Sequence, residues 1–134
     1  MSARAAGSGA GPLVLLLAAL ALTGCGAAQT VVVTHHELRL REDEYRILPR
    51  SVSVPPGRLK VVVSNDGVLA HDLVIEHHGV IVRGGTIPTI LPGHIGGPIK
   101  IAAADLPPGE YELLSGLSNQ ANLGMIATLI VRPY

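Results

Sequence analysis

Six histidines set the chemical repertoire of this chain: His35, His36, His71, His77, His78 and His94. Neutral imidazole binds Cu(II) well, so each pair is tested first as a metal chelate. His35 and His36 are adjacent, and on a strand neighbouring side chains point to opposite faces, so they do not chelate one ion from regular backbone. His77 and His78 precede Gly79, a turn that can bring both rings together; a solvated turn is the competing reading. His94 lies in a Gly/Pro-rich stretch. His71-Asp72 with Ser115 has the composition of a nucleophile–base–acid set. Strand alternation turns Asp72 away from His71, so no hydrolase is expected. There is no glycine-rich phosphate loop opening a helix. The chain is read as a non-enzyme.

The only cysteine, Cys25, closes an apolar run, Leu13 to Leu22, followed by the small residues Thr23 and Gly24. The run is too short to span a bilayer and has the length of a signal-peptide core. Leu22-Thr23-Gly24-Cys25 resembles a bacterial lipobox. That resemblance implies that the Cys25 thiol receives a diacylglycerol and that the peptide is cut before it. Residues 1–24 are then a lipoprotein signal peptide, 25–30 a lipid-anchored tether and 31–134 one domain, with 110 of 134 residues kept. The expected location is extracytoplasmic, on a membrane surface held by acyl chains. No disulfide can form within the chain. Ten basic residues balance ten acidic ones, and Trp and Phe are absent. With no basic stripe and no large stacking platform, nucleic acid is not an expected partner.

The elements that must position these residues are strands. Thr30 to Leu40 alternates, with His36, Leu38 and Leu40 opposite Glu37, Arg39 and Arg41. Glu42 to Glu44 reads as an acidic turn, and Tyr45 to Pro49 as a short edge segment. Ser51 to Val54, Leu59 to Val63, Leu73 to Glu76, Val80 to Val82, Ile99 to Ala103, Glu110 to Leu114 and Ala127 to Val131 supply further strands. Pro55-Pro56-Gly57, Asn65-Asp66-Gly67, His77-His78-Gly79 and Leu106-Pro107-Pro108-Gly109 punctuate them. Gly84 through Pro98 reads as an irregular loop. Helical periodicity is missing from the mature part, so an all-β sandwich or barrel with an aliphatic core is expected.

An ordered set of motifs runs through these strands: Val52-x-Val54-x-x-Gly57, Leu59-x-Val61-x-Val63-x-Asn65-x-Gly67, His71-Asp72-Leu73-Val74-Ile75, Leu106-Pro107-Pro108-Gly109-x-Tyr111 and Gly124-Met125-x-Ala127-x-Leu129-x-Val131. Over residues 31–134 the set resembles the cupredoxin (blue-copper, plastocyanin/azurin-like) family. The resemblance implies a Greek-key β-sandwich and a copper site of two histidines, a cysteine and an axial methionine. Carried onto this chain, the four positions are His71, Ser115, Gln120 and Met125. Two match. Ser115 stands at the cysteine position and Gln120 at the second histidine position. A hydroxyl does not replace a thiolate, and an amide oxygen suits Cu(I) poorly, so a type 1 centre is not expected. A Ser115–His71 hydrogen bond is expected in its place.

Two functions follow. The domain binds a copper ion weakly through His71, Met125 and Gln120, for sequestration or delivery. Alternatively, it is a metal-free β-sandwich that binds an envelope protein, using an apolar patch at Ile87-Pro88-Thr89-Ile90-Leu91-Pro92. Electron transfer through copper ranks below both.

Overall fold

The computed structural model describes residues 29–92 and 100–134. Among the described residues the secondary structure is entirely β. In chain order the strands are β1 (Val31–Val32), β2 (Glu37–Asp43), β3 (Arg46–Leu48), β4 (Ser51–Val54), β5 (Gly57–Asn65), β6 (His71–His77), β7 (Val80–Ile90), β8 (Lys100–Leu106), β9 (Gly109–Leu114) and β10 (Ile126–Val131). They form two sheets, in the orders β1-β4-β10-β9-β6-β7 and β3-β2-β5-β8. Parallel pairings β4–β10 and β2–β5 sit among antiparallel ones, because the chain crosses repeatedly between the sheets.

Aliphatic alternation builds the interior. Leu38 and Leu40 of β2, Leu59, Val61 and Val63 of β5, Leu73 and Ile75 of β6, and Leu129 and Val131 of β10 point inward and are buried. Burial of such side chains stabilises by roughly 1.5–3 kcal/mol each relative to exposure. Tyr111 is the one aromatic core residue, and its hydroxyl donates to the Pro107 carbonyl at 2.8 Å. Burial pushes the Tyr111 hydroxyl pKa up.

Two sequence expectations are corrected. The acidic turn expected at Glu42–Glu44 begins later: β2 continues to Asp43, and Glu42 is the third inward residue after Leu38 and Leu40. Its backbone pairs with Ile47 and Asn65, so the ladder, not side-chain polarity, decides the element. The irregular loop expected from Gly84 is strand as far as Ile90. Here β7 carries more residues than the facing β6, with register shifts on both sides of the Leu73–Val74 pairings. Gly84, at φ 75°, absorbs one of them and brings β7 against β8: a Cβ there would lie 2.5 Å from the Ala103 carbonyl oxygen. Residues 93–98 of that expected loop, including His94, lie outside the described residues.

The strand ends define two poles. His71, Leu114 and Ile126 lie at one, and His77, Gly109 and Val131 at the other. The four ligand positions implied by the resemblance all fall at the first, which we call the site pole.

Candidate functional site: a buried polar cluster

Three segments converge at the site pole: the start of β6, the end of β9 with the loop beyond it, and the residue before β10. His71 is fully buried, and its Nδ1 lies 2.9 Å from Gln120 Oε1. The Gln120 amide is oriented by its other end, where Nε2 donates to the Ala70 carbonyl at 3.0 Å. Its oxygen therefore faces His71, and an amide oxygen only accepts, so the hydrogen sits on Nδ1. The same oxygen lies 2.8 Å from Ser115 Oγ. The direct Ser115–His71 hydrogen bond expected from sequence is replaced by one relayed through Gln120.

Asp72 lies on the Val74 side of β6, away from His71 as alternation requires, but it is not solvated. The chain from Ser115 to Leu117 folds over it. Asp72 Oδ1 accepts from Ser115 Oγ at 2.7 Å, Gly116 N at 2.8 Å and Leu117 N at 3.2 Å. Close approach suits a glycine at 116, where a Cβ would meet Asp72 Oδ2 at 3.2 Å. Ser115 has one hydroxyl proton for two acceptors, Asp72 and Gln120. The carboxylate is the stronger, so Ser115 is committed to a structural bond and is no nucleophile.

Met125 is fully buried in the core, and its backbone closes the loop: Met125 N donates to Gln120 O at 3.1 Å, and Met125 O accepts from Ser115 N at 3.2 Å. The four expected positions thus lie in one neighbourhood. His71, Gln120 and Ser115 are joined by side-chain hydrogen bonds, and Met125 is joined to the last two through backbone.

Further groups around the cluster come from residues that the sequence marks only as turn residues. Asn65 Nδ2 donates to Leu69 O at 2.8 Å and Ile90 O at 2.9 Å, while its Oδ1 accepts from Gly67 N at 2.9 Å. Glu44 Oε1 accepts from Val68 N at 2.6 Å and Leu69 N at 2.9 Å, and these bonds hold its carboxyl below the usual range. The same oxygen lies 3.9 Å from His71 Nε2, a ring nitrogen with no hydrogen-bond partner. Glu42 is fully buried and neither carboxyl oxygen has a partner. Desolvation, helped by the Asp72 charge, pushes its pKa up to about 8, so it is mostly protonated at neutral pH. Continuing the Leu38, Leu40 alternation by one step would have placed Glu42 inward. The hydrogen bonding of Asp72 had no sequence signal.

The other expectations distribute as follows. At the opposite pole His78 (φ 52°) and Gly79 (φ 74°) form a two-residue hairpin turn, and the His77 and His78 rings stack at 4.2 Å. His77 also packs on Tyr111 at 4.6 Å. His36 Nε2 lies 3.0 Å from the Pro56 carbonyl, a hydrogen bond that leaves it on the surface. The apolar patch expected at Ile87–Pro92 is smaller than its sequence suggests. Ile87 and Ile90 are core residues of β7, and of the large apolar side chains in that segment only Leu91 is exposed.

The site residues do not fit a type 1 copper ion. One imidazole and one thioether are available, but the remaining donors are neutral oxygens already engaged, and no thiolate is present. His71 Nδ1 carries a hydrogen bonded to Gln120, and Ser115 is bonded to Asp72. Among the described residues no three of His, Cys, Asp and Glu are grouped to hold a metal ion.

No protein-family model matches the chain, and no curated protein matches its sequence. Solved structures do match its fold. Reduced auracyanin from the photosynthetic bacterium Roseiflexus castenholzii is 16% identical, with a TM-score of 0.62 over 75% of this chain and 100% of that one. Auracyanin B is 15% identical, with a TM-score of 0.59 over 81% of this chain and 92% of its own. Auracyanin A, a "blue" copper protein from Chloroflexus aurantiacus, is 13% identical, with a TM-score of 0.54 over 75% and 99%. The chain therefore has a cupredoxin fold, the all-β two-sheet architecture expected from its motifs.

Proposed function

We propose that this chain is a lipid-anchored, extracytoplasmic protein of cupredoxin fold in which a hydrogen-bonded polar cluster stands at the positions that the cupredoxin resemblance gives to copper ligands. It works without electron transfer, as a metal-free binding module of the cell envelope. The observation that carries this reading is Gln120, whose single amide holds His71 Nδ1 at 2.9 Å, Ser115 Oγ at 2.8 Å and Ala70 O at 3.0 Å. The bond a metal would supply to His71 Nδ1 has a protein substitute in the Gln120 amide oxygen, so that nitrogen needs no ion.

Weak copper binding for sequestration or delivery is the second reading. The unpartnered His71 Nε2 favours it, since an orphaned buried nitrogen is the kind of group a metal satisfies. The two readings separate at the His71 ring. Nitrogen-15 NMR should report a protonated Nδ1 and an unshifted Nε2 when Cu(I), or Ag(I) as its redox-inert stand-in, is added. A metal-shifted signal at either ring nitrogen would replace the first reading by the second.

A further inference from the structure

The course of the chain before β1 connects the anchor to one particular pole. β1 runs parallel to β4, with Val31 beside Val52 and Val32 beside Ser53. Thr30 Oγ1 lies 2.8 Å from Ser51 Oγ, so Thr30 sits beside Ser51 one step further back. Ser51 pairs with Thr128, three residues beyond Met125. Followed backwards from Val32 to Thr30, the chain therefore heads toward the site pole. Four residues lie between Thr30 and Cys25, and the five steps joining them reach at most about 18 Å. The level of Met125 is about 10 Å from that of Thr128 along a strand. The rim of the site pole is therefore within reach of an acylated Cys25.

The rim itself is suited to lipid. Val68 is 78% exposed, Leu91 58%, Leu123 48% and Leu69 41%. Asn65 holds the Val68-Leu69 turn beside Ile90 and Leu91, and Gln120 ties the loop bearing Leu123 to Ala70. The segments that carry them, 67–70, 90–92 and 116–124, contain no charged residue. The nearby acidic charges are matched: Asp43 by Arg46 at 2.7 Å, Asp66 by Arg41 at 3.4 Å, and Glu44 by two backbone amides. Apolar side chains on charge-free loops partition into the headgroup–acyl boundary, and proximity through an anchor multiplies a weak contact.

We infer that Val68, Leu69, Leu91 and Leu123 form a membrane-contact face, which lays the site pole against the lipid surface that holds Cys25. The inference rests on the lipid-anchored reading proposed above. The mature lipidated protein is reconstituted into phosphatidylethanolamine/phosphatidylglycerol vesicles. Leu123→Cys, Val68→Cys and, at the opposite pole, Pro108→Cys each supply the only free thiol for an environment-sensitive fluorophore. Labels at 123 and 68 should shift to the blue and be quenched severalfold more by brominated lipid than the label at 108. Equal, water-like behaviour of all three on a protein whose N-terminal peptide carries the diacylglycerol mass would overturn the membrane face alone and leave those loops for a protein partner. An N-terminal peptide without that mass, with no co-sedimentation on vesicles, would overturn the anchoring reading and this orientation together.

Discussion

Replacing Glu42 by glutamine should flatten the pH dependence of stability. Glu42 is buried, both its oxygens lack partners, and its pKa rises from 4.5 to about 8 through desolvation and the Asp72 charge. In the unfolded chain the group ionises near its ordinary value, while the folded protein keeps the proton. Between these values the folded state binds more protons than the unfolded one, so stability falls as pH rises. The contribution is fully present below about pH 4.5 and is lost progressively up to about pH 8. At 1.36 kcal/mol per pH unit, pH 7 costs about 3 kcal/mol relative to pH 4.5, and the whole span about 5 kcal/mol. Glu42→Gln keeps the shape and an unpaired polar group but removes the titration. The comparison is therefore between slopes and not absolute stabilities. Urea unfolding of both proteins from pH 4.5 to 8 reads it directly. The stability difference should move in favour of the glutamine variant by about 3 kcal/mol by pH 7. Parallel curves would mean that Glu42 ionises freely in the folded protein, and would refute its burial as a neutral acid.

Three further outcomes are expected. Ser115→Cys combined with Gln120→His restores a thiolate and a second imidazole beside His71 and Met125. Adding Cu(II) should then produce an intense visible absorption that the parent lacks, and a colourless double variant would refute the assignment of these positions. Gly67→Ala places a Cβ inside van der Waals contact of the Glu44 carboxylate, freeing the Val68 and Leu69 amides; the loss should be about 1 kcal/mol in denaturant unfolding with an unchanged m value. Gly84→Ala combines a positive φ of 75° with the 2.5 Å approach to Ala103 O, and should cost at least about 2 kcal/mol, read as a lowered Tm.

The fold was largely legible because each strand carried its own signal. The alternation of Leu38 and Leu40, the breaks at Pro55-Pro56-Gly57 and Asn65-Asp66-Gly67, and the hairpin turn at His78-Gly79 all act over a few residues. What the sequence hid depended on the pairing of distant segments. Gly84-Gly85 reads as a loop because glycine is a poor strand former in isolation, yet opposite β6 it fills a bulge. Glu42 reads as a turn residue because it is charged, and only the ladders to β3 and β5 show that the strand continues through it. The resemblance to the cupredoxin family points to the site positions: His71 after the Asn65-Asp66-Gly67 turn, and Ser115, Gln120 and Met125 by register along the last loop, which spacing preserves. Their bonding was not legible, since the Gln120 relay and the fold-over of Ser115–Leu117 onto Asp72 are matters of side-chain orientation. The smaller apolar patch at Ile87–Pro92 has the same origin: residues of equal hydropathy are divided between core and surface by the bulged register of β7.

The central claim is that hydrogen bonds have taken the place of the copper centre, and a competition titration tests it most directly. The purified protein and His71→Ala are each titrated with Cu(II), and with Cu(I) under reducing conditions, against a chelator of known affinity. The account predicts no stoichiometric binding that His71 controls and no intense visible band, with the two proteins indistinguishable. Tight one-to-one binding that vanishes in His71→Ala would contradict it and make this a copper-handling protein.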